Sequence, residues 1–78
     1  MYENNVADEY KTAIKYTEEA LVLKPDAYYI GDTLAWLYLE NGEQQKAVEG
    51  STKALNLAPE KERDAYKVAL EKIKKNIQ

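Results

Sequence analysis

"EQQKAVEGSTKALNLAP", residues 43–59, carries the same pattern as "EYKTAIKYTEEALVLKP", residues 9–25. Sliding the chain along itself by 34 residues lays Glu43 over Glu9, Ala47 over Ala13, Ala54-Leu55 over Ala20-Leu21, Leu57 over Leu23 and Pro59 over Pro25. Val48 over Ile14 and Ser51 over Thr17 are conservative pairs. Chance seldom aligns two alanines, an A-L-x-L pattern and both prolines of a chain at one offset. Within residues 43–59, Ala47, Val48, Ser51, Ala54 and Leu55 recur at steps of three and four, which places them on one face of a helix.

The flanking segments read the same way. "TLAWLYLENGEQQKAV", residues 33–48, opens on the apolar run Leu34 to Leu39 and turns polar at Glu40-Asn41-Gly42. The run fits the middle of a helix over residues 27–40, with Asp26 as N-cap and Asn41-Gly42 as a left-handed stop. A helix that is apolar on most sides is expected to be flanked by helices on both. Upstream, Val6, Tyr10, Ala13, Ile14, Thr17, Ala20 and Leu21 share one face of a helix over residues 5–23, which Lys24-Pro25 ends. A fourth helix follows Pro59, a residue suited to the first helical turn. Glu60, Glu62 and Asp64 lie near its positive end and Lys72, Lys74 and Lys75 near its negative end.

The shift also lays the second helix over the fourth. Leu34 falls on Val68, Ala35 on Ala69, Trp36 on Leu70 and Leu39 on Ile73, while Leu37 becomes Glu71 and Tyr38 becomes Lys72. One flank of the fourth helix has thus turned polar, as expected where a stack of repeats ends and nothing packs beyond it. The expected fold is all-α, built from about four helices in antiparallel helix-turn-helix repeats.

A 34-residue period of paired helices is the mark of the tetratricopeptide repeat. Residues 28–61 resemble one complete repeat, on Leu34, Ala35, Tyr38, Gly42, Ala47, Ala54, Leu55, Leu57 and Pro59. Residues 5–23 resemble the second helix of a preceding repeat, and residues 60–78 the capping helix of such arrays. The resemblance implies one domain over residues 1–78, cut from or forming part of a longer superhelix. The sequence departs from the family at Gly31, where a large residue is usual, and at Ser51, where an aromatic is usual. Gly50 beside it costs about 1 kcal/mol of helix propensity relative to alanine. Loose packing is expected there. At the front, Tyr2, Val6, Tyr10, Tyr16 and Val22 spread round more than one face of the first helix, which suggests removed repeats or self-association.

Composition excludes several functions. The chain has no cysteine and no histidine, which removes thiolate sites, the commonest metal ligand and the commonest general base. No Gly-rich phosphate loop is present, and Ser51 and Thr52 have no histidine to activate them. No catalysis, metal or cofactor is expected. A net charge of −3, from 11 basic and 14 acidic residues, argues against nucleic acid as a partner. The longest apolar run is too short to span a bilayer and no basic-then-apolar leader opens the chain, so a cytoplasmic protein without a membrane partner is the default expectation. The polar start "MYENNVADEY" fits an excised boundary as well as a natural one.

A protein or peptide is the expected partner. The resemblance implies that the first helix of each pair lines a concave surface, with Tyr29, Asp32, Trp36 and Glu40 from the second helix and Arg63, Tyr66, Leu70 and Lys74 from the fourth. The steps of three and four within each set independently put its members on one face. Trp36 and Tyr66 would anchor an extended peptide or a partner helix, and Arg63 and Lys74 would meet acidic groups on it. The plainer reading makes Trp36 a packing residue with Tyr66 shielding it, and Lys72, Lys74 and Lys75 a solvated end. One branch of the family grips a C-terminal carboxylate with lysine and asparagine. Here Asp32 and Trp36, then Lys67 in the next helix, occupy the matching positions, and Asp32 would repel such a ligand. The alternative is a structural module that forms a homodimer through Tyr2, Val6, Tyr10 and Tyr16 of the first helix or through the groove.

Overall fold

In the computed structural model, which describes residues 2–76 and the side chains of residues 9–76, four α-helices follow one another with no strand among the described residues. They are α1 (Tyr2–Leu23), α2 (Tyr28–Glu40), α3 (Gln44–Leu57) and α4 (Arg63–Lys75), the last entered through a single 3-10 turn, Glu60–Glu62. The connections are short, and helices joined this way lie against each other antiparallel. Each helix packs on its neighbour in sequence, and α4 also reaches back to α2. Measured over Cα atoms the protein spans 44 × 32 × 16 Å, so its thinnest dimension is about that of two packed helices. No helix among the described residues is long and apolar enough to cross a membrane.

The expected helices are all present, and their ends explain where the expectations shift. α2 does not start on Asp26. The Ala27 N–H bonds the Lys24 carbonyl at 3.1 Å, a tight turn that leaves Asp26 exposed one residue too early. Ala27, buried and with no side-chain acceptor, becomes the capping residue, and its carbonyl takes the amides of Ile30 and Gly31 at 3.0 and 3.2 Å. Pro59 likewise stands outside the first turn of the last helix, extended at φ −64°, ψ 156°. Its carbonyl accepts from Glu62 at 2.9 Å and opens the 3-10 turn. α1 begins at Tyr2 rather than residue 5, and the side chains of Tyr2 and Val6 lie outside the described residues.

The α2–α3 turn is a Schellman motif. The Glu43 amide donates to Tyr38 O at 2.8 Å and the Gly42 amide to Leu39 O at 3.1 Å, with Gly42 at φ +86°. The Asn41 amide group holds the Glu43 carboxylate at 3.0 Å, and Lys46 meets the same carboxylate at 3.4 Å. Both contacts, with the Asn41 bond the stronger, keep the Glu43 carboxyl below the usual range. Gly42→Ala places a Cβ in the left-handed region and is expected to lower unfolding free energy by about 1–2 kcal/mol, read from urea denaturation.

The core is small and rich in alanine. Ala35, Ala47 and Ile73 are fully buried, and Trp36, Tyr38, Leu39 and Val48 pack against them. Ala54, Leu34 and Leu70 extend this core between α2, α3 and α4, while Ile14 brings in α1 and Ala27 and Ala58 close the connections. α2 and α3 approach closely: a Cβ added to Gly50 would stand 3.4 Å from the Ala35 Cβ. Packing is incomplete beside this contact. A cavity of ≈ 40 Å³ is lined by Leu21, Gly31, Leu34, Gly50, Ala54 and Leu57, among others. Ser51, 1% exposed, leaves its hydroxyl oxygen without a hydrogen-bond partner. The missing side chain of Gly31 leaves this space, whereas Gly50 and Ser51, where the sequence predicts loose packing, sit at the close α2–α3 contact. A Cβ on Gly31 would meet only the Ala54 Cβ, at an ordinary 3.7 Å. Gly31→Ala is therefore expected to stabilise the fold by about 1 kcal/mol through helix propensity, seen as a higher urea midpoint with unchanged slope.

Candidate functional site

The amphipathic logic of α2 divides it into three strips. Leu34 and Ala35 go inward. Tyr29, Thr33 and Glu40 are exposed, and Trp36 lies half-buried along the same strip, with part of its ring against the core. Tyr28 and Asp32, one turn apart, form the flank that meets α4. Tyr29, Asp32, Trp36 and Glu40 thus lie on one side of α2, with Asp32 at the edge nearest α4. Trp36 takes part in packing whatever else it does.

The α4 candidates do not share one open face. Tyr66 turns toward α2, where its ring meets that of Tyr28 edge to face, centroids 5.4 Å apart at 89°. Leu70 is 8% exposed and belongs to the core, which takes it off the open surface. Arg63 and Lys67 line a shallow groove with Leu55, Asn56 and Asp64, on the side of α4 that faces α3. Lys74 is exposed in the last turn, beside Lys72 and Lys75. The reason is geometric. Steps of three and four keep residues on one side of a helix, but α4 buries the centre of that side against α2 and α3. Its candidates are split between the two edges and the core.

Where α2 meets α4 the structure joins two of these candidates, Asp32 and Tyr66, to Tyr28 and Glu62, which the sequence did not single out as site residues. The Tyr28 hydroxyl donates to the Glu62 carboxylate at 2.9 Å, and the Tyr28 ring also meets Tyr29 edge to face at 5.6 Å and 84°. Asp32 lies beside Tyr66, with Oδ1 buried and without a hydrogen-bond partner. Burial pushes the Asp32 carboxyl above its usual range. The Tyr66 phenol is raised by burial first, then by the Asp32 and Glu62 carboxylates, and the Tyr28 phenol chiefly by its bond to Glu62. Among the described residues neither Asp32 nor Glu62 forms an ion pair. A signal for this cluster was present: the 34-residue shift lays Tyr28 over Glu62 and Asp32 over Tyr66. Residues at equal places in successive repeats are neighbours in a stack.

On the other side of α2, an open groove of ≈ 280 Å³ separates it from α1, lined by Tyr16, Thr17, Ala20, Tyr29, Ile30 and Thr33. Tyr16 is 65% exposed and Tyr29 53%, and Val22 and Leu23 are more exposed still. Tyr10 is half-buried. The Tyr38 hydroxyl bonds the Glu18 carboxylate and so ties α1 to α2, and the Lys46 ammonium lies 5.5 Å from the centre of the Tyr38 ring. Among the described residues no group of three or more acidic side chains is placed to hold a metal ion.

Compared with protein-family models, curated proteins and solved structures, the chain matches none.

The desolvated carboxyl of Asp32 carries a stability signature. Its folded-state pKa is raised above the ordinary 3.8, so the folded state holds the proton more tightly than the unfolded state does. The native protein is then fully relieved of the penalty below pH 3.8 and loses stability as pH rises through the raised value. Asp32→Asn is expected to have the higher melting temperature at pH 7. The gap should close as pH falls toward 3.8, as followed by circular dichroism.

Proposed function

We propose that this chain is a non-catalytic binding module of the tetratricopeptide type, which takes a peptide or partner helix on the open face of α2. The 34-residue repeat, with its matched alanines and prolines, supports the family assignment, and the antiparallel α2–α3 pair is compatible with it. The observation that carries the functional reading is the strip Tyr29, Trp36 and Glu40, flanked by Asp32 and Tyr66. Two aromatic residues, one more than half exposed, stand along an open surface between α1 and α4. Aromatic side chains at such positions supply much of the energy of protein interfaces. Asp32 and Glu40 make this face acidic, which disfavours a carboxylate-terminated ligand.

A second reading rests on a different observation. Tyr16, Val22 and Leu23 leave a large share of their surface in water along α1. A second copy of the chain packed against α1 would cover exposed apolar surface of this kind.

Peptides selected from a random displayed library on the 78-residue chain test the first reading. Tyr29→Ala, which removes a mostly exposed ring and leaves the core intact, is expected to weaken selected peptides about tenfold in fluorescence titration. Equal affinity for Tyr29→Ala, with Trp36→Ala harming only stability, sinks the α2 face as the site. Sedimentation equilibrium separates the second reading: a concentration-dependent dimer that Tyr16→Lys disperses supports it.

A further inference from the structure

We propose that Tyr28, Tyr66, Asp32 and Glu62 form a site for the cationic side chain of a lysine or arginine on the bound peptide. This rests on the reading of the α2 face as a peptide-binding surface and assigns that ligand its charge.

Three features converge on it. The first is the pairing of the rings. Tyr28 and Tyr66 meet at 89° with centroids 5.4 Å apart, and Tyr29 continues the chain at 84°. An edge-to-face pair leaves both faces of one ring and one face of the other uncovered by its partner. Those faces are negative and attract cations, guanidinium and ammonium alike. The second is the direction of the Tyr28 hydrogen bond. Its hydroxyl gives its proton to Glu62, which moves electron density toward the ring and strengthens that attraction. The third is Asp32, one turn from Tyr28 on the same flank of α2, whose carboxylate forms no ion pair among the described residues. A carboxylate left without a counter-charge beside aromatic rings favours a cationic group arriving at its accessible edge.

Among the described residues no basic side chain pairs with Asp32 or Glu62. Lys46 is engaged with Glu43 and the Tyr38 ring. Arg63 follows Glu62 in sequence but lines the α3 side of α4 with Lys67. Lys53 borders the apolar cavity beside Gly50. Two carboxylates around one pair of aromatic rings, in a chain of net charge −3, complement a basic ligand and repel an acidic one.

The test uses the intact chain labelled with 15N and four blocked eight-residue peptides, identical except for a central Lys, Arg, Gln or Glu. The lysine and arginine peptides are expected to shift the backbone amides of residues 28–32 and 62–66 saturably at millimolar concentration, and the glutamate peptide to leave them unmoved. Asp32→Asn, which keeps the shape and removes the charge, should weaken the lysine peptide about fivefold, and Tyr66→Leu by a similar factor. A glutamine peptide that binds as well as the lysine peptide overturns the cation site, as does an Asp32→Asn chain with unchanged affinity. If only neutral or acidic peptides move the amides of Tyr29, Trp36 and Glu40, the α2 face remains a binding surface and its assigned charge fails. If none of the four moves any amide on this face, both readings fall.

Discussion

Everything else in this protein hangs on how closely α2 and α3 approach. Ala35 on one helix and Ala47, Gly50 and Ala54 on the other leave almost no side chain between the two backbones. Alanine buries little apolar area, so the seam gains its strength from many close atomic contacts rather than from a few large residues. Such a seam works only if the connecting turn delivers α3 at the right distance and angle. The Schellman turn at Gly42, locked by Glu43 to Tyr38 and by Asn41 to Glu43, does that. The larger residues then cover the seam: Trp36, Tyr38, Leu39 and Val48 close over it, and Ile73 of α4 seals it from the far side.

The small core that follows leaves much of each helix at the surface. Few of the described apolar side chains avoid water altogether. α2, packed by α1, α3 and α4, still exposes one strip; Tyr29 and Trp36 lie there, Tyr28 at the α4 edge, and Tyr38 on the opposite side between Glu18 and Lys46. Asp32 shows the cost of placing polar groups at that edge, because its carboxylate is partly withdrawn from water and unmatched. The face is therefore less stable than an apolar one would be.

Much of this was legible from spacing. The two prolines and Asn41-Gly42 marked the connections, and the three-and-four steps of Ala47, Ser51 and Ala54 gave the buried face of α3. The gap at Gly31 was readable because glycine stood at a position that should bury bulk, while Gly50 and Ser51 proved to be small because α2 and α3 approach closely there. Helix starts were less legible. Asp26 is a good capping residue by type, but the Lys24–Ala27 turn, which no local propensity fixes, moved the cap to Ala27. The candidate site was half legible. Periodicity puts residues on one side of a helix without saying where its neighbours lie, and so Leu70 went to the core and Arg63 to the α3 side. Tyr28 and Glu62 were overlooked for the opposite reason: each looks ordinary alone, and only the contact between equal repeat positions joins them.

The packing of each helix on its neighbour in sequence sets how this molecule comes apart. With contacts confined to adjacent helices and one link from α4 to α2, no distant segment must return to close the structure. Such a topology has low contact order and folds by local growth from whichever pair forms first. The α2–α3 seam is the natural nucleus, and α1, whose helix-helix contacts among the described residues are with α2, can detach while that pair and α4 stay assembled. Opening of α1 then precedes the cooperative loss of the α2–α3–α4 unit, which is the transition that denaturant reads.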